Sequence, residues 1–147
     1  MKDTKKILRS AIYTALNSNI SYGGNNVPVY DERVPSTTTS NLFIALSTQQ
    51  EQDVDENDSI WVTDSFIDFD IVNKTASEVS KDINDDVYED ILEILLPTRT
   101  TIGITVPNGF QFEAAKRVSS ITNNITLSPT ESILVTTVKL VFRIVQK

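Results

Sequence analysis

The sequence predicts an α+β domain: an antiparallel sheet of four to five strands with two helices packed on one face. Three observations lead to it. Residues 4–18 and 81–96 carry apolar side chains at helical spacing, whereas 42–48, 60–72 and 133–145 alternate or run apolar as strands do. The chain has 147 residues, which suits one domain spanning 1–147.

The first helix buries a stripe of Ile7, Leu8, Ala11, Ile12, Ala15 and Leu16, with Lys5, Lys6 and Arg9 toward water and Asp3 or Thr4 as its cap. Gly23-Gly24 within Ser21–Asn26 then turns the chain. Val27-Pro28-Val29-Tyr30 reads as a short extended piece, confined to an edge by Pro28. Leu42–Thr48 reads as a strand with Leu42, Ile44 and Leu46 on one face. A polar, acidic turn over 49–57 joins it to the strand 60–72. There Trp61, Ile67, Phe69 and Ile71 oppose Asp64, Asp68 and Asp70.

The second helix rests on Ile83, Val87, Ile91, Ile94 and Leu95. Ser80 suits its N-cap, Asp82, Asp85 and Asp86 suit the positive end of its dipole, and Pro97 stops it. Residues 98–107 carry no clear period before the turn at Asn108-Gly109. From 110 the apolar positions are Phe110, Phe112 and Ala114; by Ile121, Ile125 and Leu127 the parity has switched. That predicts a bulge or bend near Ser119-Ser120. After a turn at Ser128-Pro129-Thr130, Leu134, Val138, Leu140, Phe142 and Ile144 form one face of the last strand. Ile133, Val135, Val141 and Val145 mix with Lys139 and Arg143 on the other. A strand apolar on both sides is central in its sheet or meets a partner.

Composition narrows the chemistry. The chain has no Cys and no His, which excludes disulfides, thiolate nucleophiles, thiolate-ligated zinc and the commonest general base. An enzyme would have to rely on carboxylates, Lys, Tyr or Ser; no nucleophile–base constellation is visible, so none is expected, and neither a cofactor nor a resident metal. No run reaches the roughly 18 apolar residues of a membrane span. The N-terminus lacks a signal-peptide core, so synthesis in a cytoplasm without a membrane partner is expected.

Three constellations invite a sharper reading and each has a plainer one. Asp53-Val54-Asp55-Glu56-Asn57-Asp58, running on to Asp64, places oxygen ligands as a calcium loop does. Its sixth position is Asp58 where a glycine belongs, and its flanks read as strands, so a solvated hairpin tip is expected. Asp68 and Asp70, two apart on one strand, could divide acid and base roles, but a solvated strand face explains them. Gly23-Gly24 follows a helix with no Gly-Lys-Ser/Thr nearby, and is a turn.

Net charge is −7, unevenly spread. Residues 49–95 hold 15 of the 20 acids and 2 of the 13 bases, so this segment carries −13 and the remainder +6. Such a middle opposes broad nucleic-acid binding and supplies two complementary faces on one subunit.

Several pieces stand in order: the helix Ile7-Leu8-Arg9-Ser10-Ala11-Ile12-Tyr13-Thr14-Ala15-Leu16; Val27-Pro28-Val29-Tyr30-Asp31 with Val34-Pro35; the strands Leu42–Ser47 and Phe66–Val72; the helix entry Val79-Ser80-Lys81-Asp82 with its end Ile94-Leu95-Leu96; and the closing strand Leu140–Ile144. Together they resemble the tail-terminator or tail-completion proteins of tailed bacteriophages, which join head to tail. The likeness covers most of 5–96 and 131–145, and 98–130 departs from it. It implies a homo-oligomeric ring, six-fold by expectation, that ends a tail tube or joins it to the head connector. The alternatives are a neck or head-completion ring of a short-tailed phage, or an acidic DNA-mimic inhibitor. The resemblance further implies a place in the tail or neck of a virion, contacts with tail-tube and connector or neck proteins, and DNA that only passes through. Lys5, Lys6 and Arg9 are then expected at a subunit interface with Asp82, Asp86 and Glu89 of a neighbour. Asp53, Asp55, Asp58, Asp64, Asp68 and Asp70 are expected to line the channel, because phosphates slide past a wall of like charge.

Overall fold

The computed structural model describes residues 2–31, 34, 40–54, 60–74, 81–129 and 131–147. Helix α1 spans Thr4–Leu16 and α2 spans Lys81–Leu95. A two-residue ribbon, β1 (Ser21–Tyr22) and β2 (Asn25–Asn26), turns on Gly23 and Gly24. Both glycines have positive φ, 59° and 80°, the mirror-image turn that suits a tight hairpin. The main sheet contains β3 (Val29–Tyr30), β4 (Leu42–Val54), β5 (Trp61–Asn73), β6 (Phe110–Ser128) and β7 (Glu131–Gln146), in the order β3-β4-β5-β7-β6.

The α+β architecture matches the sequence reading, with one difference: β3 pairs parallel to β4, so the sheet is mixed. Every other pairing is antiparallel. The parallel piece is two residues long and lies at the edge to which Pro28 confines it. Strand β4 also runs further than expected, to Val54: the polar stretch Gln49–Val54 pairs with Val62–Ile67 instead of turning. Its polar side chains need only a half-solvated ladder, and β5 supplies one.

Both helices cover the same face. Helix α1 packs on β3, β4 and β5, and α2 on β5 and β7. The core is the expected alternate set: Ile44 and Leu46 of β4, Ile67, Phe69 and Ile71 of β5, and Val138, Leu140, Phe142 and Ile144 of β7. Leu8, Ile12 and Leu16 of α1 and Val87, Ile91 and Leu95 of α2 meet it. Each stripe follows the helical period of three and four that puts side chains on one face.

Long-range polar contacts fix how the helices sit. Asp3 accepts from the Lys5 amide at 2.8 Å as N-cap. Glu51 of β4 reaches the same end, its Oε1 accepting from the amides of Thr4 and Lys5 at 2.7 and 3.0 Å. Two carboxylates thus serve the positive pole of α1. Asn84 is fully buried under α2, and its Nδ2 donates to the Ile71 carbonyl at 3.2 Å and to Thr136 Oγ1 at 3.1 Å. Ser80, the expected cap of α2, lies outside the described residues. After α2 the chain doubles back tightly: the Gly103 amide donates to the Leu95 carbonyl at 2.8 Å. A Cβ at Gly103 would lie 1.8 Å from the Ile94 carbonyl oxygen, so only glycine fits.

Candidate assembly surface

Among the described residues no helix or second sheet covers the face away from α1 and α2, although Phe43 at one end of it is buried beside Tyr30 and Lys74. The strand period decides what stands on this open face. Residues opposite one another in an antiparallel ladder share a face, so each cross-strand row can be read from the register. One row is Gln52, Asp64, Arg143 and Ala114; the next is Gln50, Phe66, Val141 and Lys116. Asp68, Lys139 and Ser119 follow, then Ala45, Asp70, Thr137 and Ile121.

Three of the six acids expected in the channel, Asp64, Asp68 and Asp70, therefore share this open face. Asp53 does not: it stands opposite Thr63 on the helix side, with Oδ1 3.4 Å from Thr63 Oγ1. Asp55 and Asp58 lie outside the described residues. The spacing that imitates a calcium loop thus has Asp53 and Asp64 inside strands and on opposite faces. Among the described residues no group of three or more Asp or Glu is arranged to hold a metal ion.

The acids on the open face are not bare. Asp64 takes a two-pronged pair from Arg143, Nε to Oδ1 at 2.8 Å and Nη2 to Oδ2 at 3.0 Å. This bidentate geometry is the strong form of carboxylate recognition. Asp70 accepts from Thr137 Oγ1 at 2.7 Å. Asp68 is placed worst. Lys139 Nζ is 3.9 Å away, and its buried Oδ1 accepts no hydrogen bond from a described residue. Burial raises the Asp68 carboxyl above the usual carboxylate range; Lys139 opposes the rise and Asp70 adds to it. The face is therefore close to charge-balanced and differs from the wall of unopposed acids that the sequence suggests. A shallow depression of about 230 Å³ between Asp64, Lys116, Val141 and Arg143 interrupts it.

The free edges matter as much as the face. Strand β6 pairs with β7 alone among the described residues, so its outer side has no strand partner along 19 residues, though residues 98–102 lie near residues 113–115. Register shifts fall between Phe112 and Ala114, Arg117 and Ser119, and Thr126 and Ser128. The sequence predicts one bulge near Ser119-Ser120; the second shift adjoins that site, and together with the first it restores the original parity. As a result Phe110 and Phe112 face the helices, whereas Ile121 and Ile125 turn to the open face. Val118, Ile121, Ile125 and Leu127 are about half exposed, at 47, 57, 48 and 58%. Twelve consecutive residues, Val118–Pro129, carry no charge. Natural edge strands are commonly blunted with Lys, Pro or short length, and an uncharged edge of this length invites pairing. The sequence reading missed this surface; the signal was the uncharged run itself.

At the sheet's other edge, β3 pairs with β4 only at Ile44 and Ala45. From Leu46 to Val54 the outer side of β4 has no strand partner among the described residues. Helix α1 lies on this side of the molecule and α2 lies toward β7. Arg9 donates to Gln49 of β4 at 3.2 Å, and Gln49 donates to the Lys5 carbonyl at 2.9 Å. Lys6 is exposed, as are Asp82, Asp86 and Glu89 along α2.

A chain in the virion of a native gene transfer agent particle has the same fold, with a TM-score of 0.69 over 95% of this chain and 95% of that one, at 8% sequence identity. No protein-family model and no curated protein sequence matches this chain.

Proposed function

We propose that this protein is a structural subunit of a virion, assembling into a closed ring that ends a phage tail tube or joins it to the head connector. The observation that carries the reading is a fold shared over 95% of this chain and 95% of a chain of a virion particle. The surface supports it. Closed rings need two different, complementary patches on each subunit, and this sheet has two unlike free edges. In the helix layer, basic α1 lies at one side and acidic α2 toward the other. Lys5, Lys6 and Arg9 of one copy then face Asp82, Asp86 and Glu89 of the next.

In such a ring the open face turns to the bore and the helices turn outward. Arg143 and Lys139 stand there beside Asp64 and Asp68, and Asp70 accepts from Thr137, so apart from Lys116 the described wall offers DNA little free positive charge and rewards phosphate contact little. Light scattering and negative-stain microscopy of the purified chain test the reading. A discrete closed oligomer, six-fold by expectation, supports it; a monomer at high micromolar concentration in both low and physiological salt would sink it.

A further inference from the structure

We propose that the free edge of β6 is completed by a second copy of this chain, whose β4 lays its outer edge, residues 46–54, antiparallel against it. The inference rests on the ring reading and names its seam.

Strand polarity is the first ground. Strand β4 runs opposite to β5, β5 to β7, and β7 to β6, so β4 and β6 point in opposite directions within one subunit. Rotation about a ring axis preserves that relation. The β6 of one copy therefore meets the β4 of the next as an antiparallel pair, the common pairing, and the sheet continues from subunit to subunit. Such closure covers the free part of β4 and the first half of β6 at once, which no isolated copy can do.

Level in the sheet is the second. The cross-strand rows place the free part of β4 beside the first half of β6: Gln52 is level with Ala114, and Gln50 with Lys116. The part of β4 already covered by β3 is level with Ile121. The open stretch on one edge thus matches the open stretch on the other. Bulges between Leu46 and Gln49 in β4 and between Arg117 and Ser119 in β6 bend both strands where they must curve into a neighbour.

Charge is the third. On the helix side the joining stretch of β6 carries Arg117, whose guanidinium donates to Tyr88, and the joining stretch of β4 carries Asp53 and the α1-capping Glu51 and no base; Lys116 stands on the open face. Complementary charge across the seam fixes register and speeds encounter. Pairing of β6 with a second β6 would instead set Lys116 and Arg117 against their own copies. A nucleic acid suits the edge poorly, because beyond Arg117 it presents Thr, Ser, Asn and Ile and no cation.

Cysteine cross-linking tests this directly, because the chain contains no cysteine. Gln52→Cys is combined in turn with Ala114→Cys, Lys116→Cys and Ser119→Cys, three exposed positions that sample neighbouring registers. Within one subunit β4 and β6 are three strand spacings apart, roughly 14 Å. Disulfides need Cα atoms within about 7 Å, so any bond formed joins two copies. The expected result is a ladder of covalent trimers and higher species on a denaturing gel for at least one pair, absent from each single variant. Folding is checked by circular dichroism, and a second test avoids cysteine: Arg117→Glu abolishes assembly, and Asp53→Lys added to it restores it. A ring by light scattering with no ladder and no charge rescue would overturn the seam and leave the ring reading standing. Disulfide dimers from Ser119→Cys alone would overturn it in favour of a β6–β6 contact. A wild-type chain that never assembles would overturn both.

Discussion

The two faces of the main sheet are built from the same strands, one residue apart, and they differ in nearly every physical respect. On β5, Ile67, Phe69 and Ile71 are fully buried beneath the helices, whereas Asp64, Asp68 and Asp70 alternate with them on the open side. The covered face gains from burying apolar area, at about 25 cal/mol per Å². The open face gains little stability and instead holds a net-balanced set of ion pairs and hydrogen bonds in fixed positions. One face supplies the fold; the other, with the two free edges, supplies what the fold offers to a partner.

Substitutions can break this contrast. The largest expected effect is Phe69→Ala on the covered side, a loss of about 3–5 kcal/mol in urea unfolding, because the fully buried ring would leave a cavity in the core. Gly103→Ala should cost about 1–3 kcal/mol through overpacking, since its Cβ would meet a backbone carbonyl of α2 and not a movable side chain. Across the sheet, Asp64→Ala should cost only about 1 kcal/mol, because Arg143 is one-third exposed and can turn to water. If Asp64→Ala proved as damaging as Phe69→Ala, the division between the faces would be wrong.

Asp68 sharpens the contrast. Its folded pKa is raised above the ordinary 3.8, with burial the main cause, so the folded chain binds more protons than the unfolded one across that interval. Stability from this group is therefore lost as pH rises from below 3.8 through the raised value. Asp68→Asn should remove that component and leave the protein at neutral pH as stable as the wild type or slightly more so, by chemical denaturation across pH 3–7. Asp3 works in the opposite sense: the Lys5 amide lowers its pKa, so its contribution fades as pH falls through the lowered value. The smallest expected effect on the isolated chain is that of Ile121→Thr with Ile125→Thr. Both side chains are about half exposed, so thermal stability should stay within about 0.5 kcal/mol.

Helices and core strands were legible in the sequence because a single period governs each. The stripe of α1 and the alternation of β5 lie where the pattern places them. What escaped was set by tertiary pairing. The extension of β4 through Gln49–Val54 depends on β5 offering a partner to a polar strand, and composition alone reads such a stretch as a turn. The first two of the three register shifts in β6 were seen as one, because one slip and two slips leave similar local patterns and differ only in which face Ile121 and Ile125 reach. Of the candidate channel acids, parity correctly grouped Asp64, Asp68 and Asp70. It could not reveal that Arg143, Lys139 and Thr137 stand opposite them, since those residues lie more than sixty positions away.

The most direct test of the account is an electron cryo-microscopy reconstruction of the assembled protein, read for which face of the sheet meets the bore. The account predicts a closed ring with α1 and α2 on the outside and Asp64, Asp68 and Asp70 facing the lumen. A ring whose bore is lined by the helices, with these three acids on its outer wall, would contradict it.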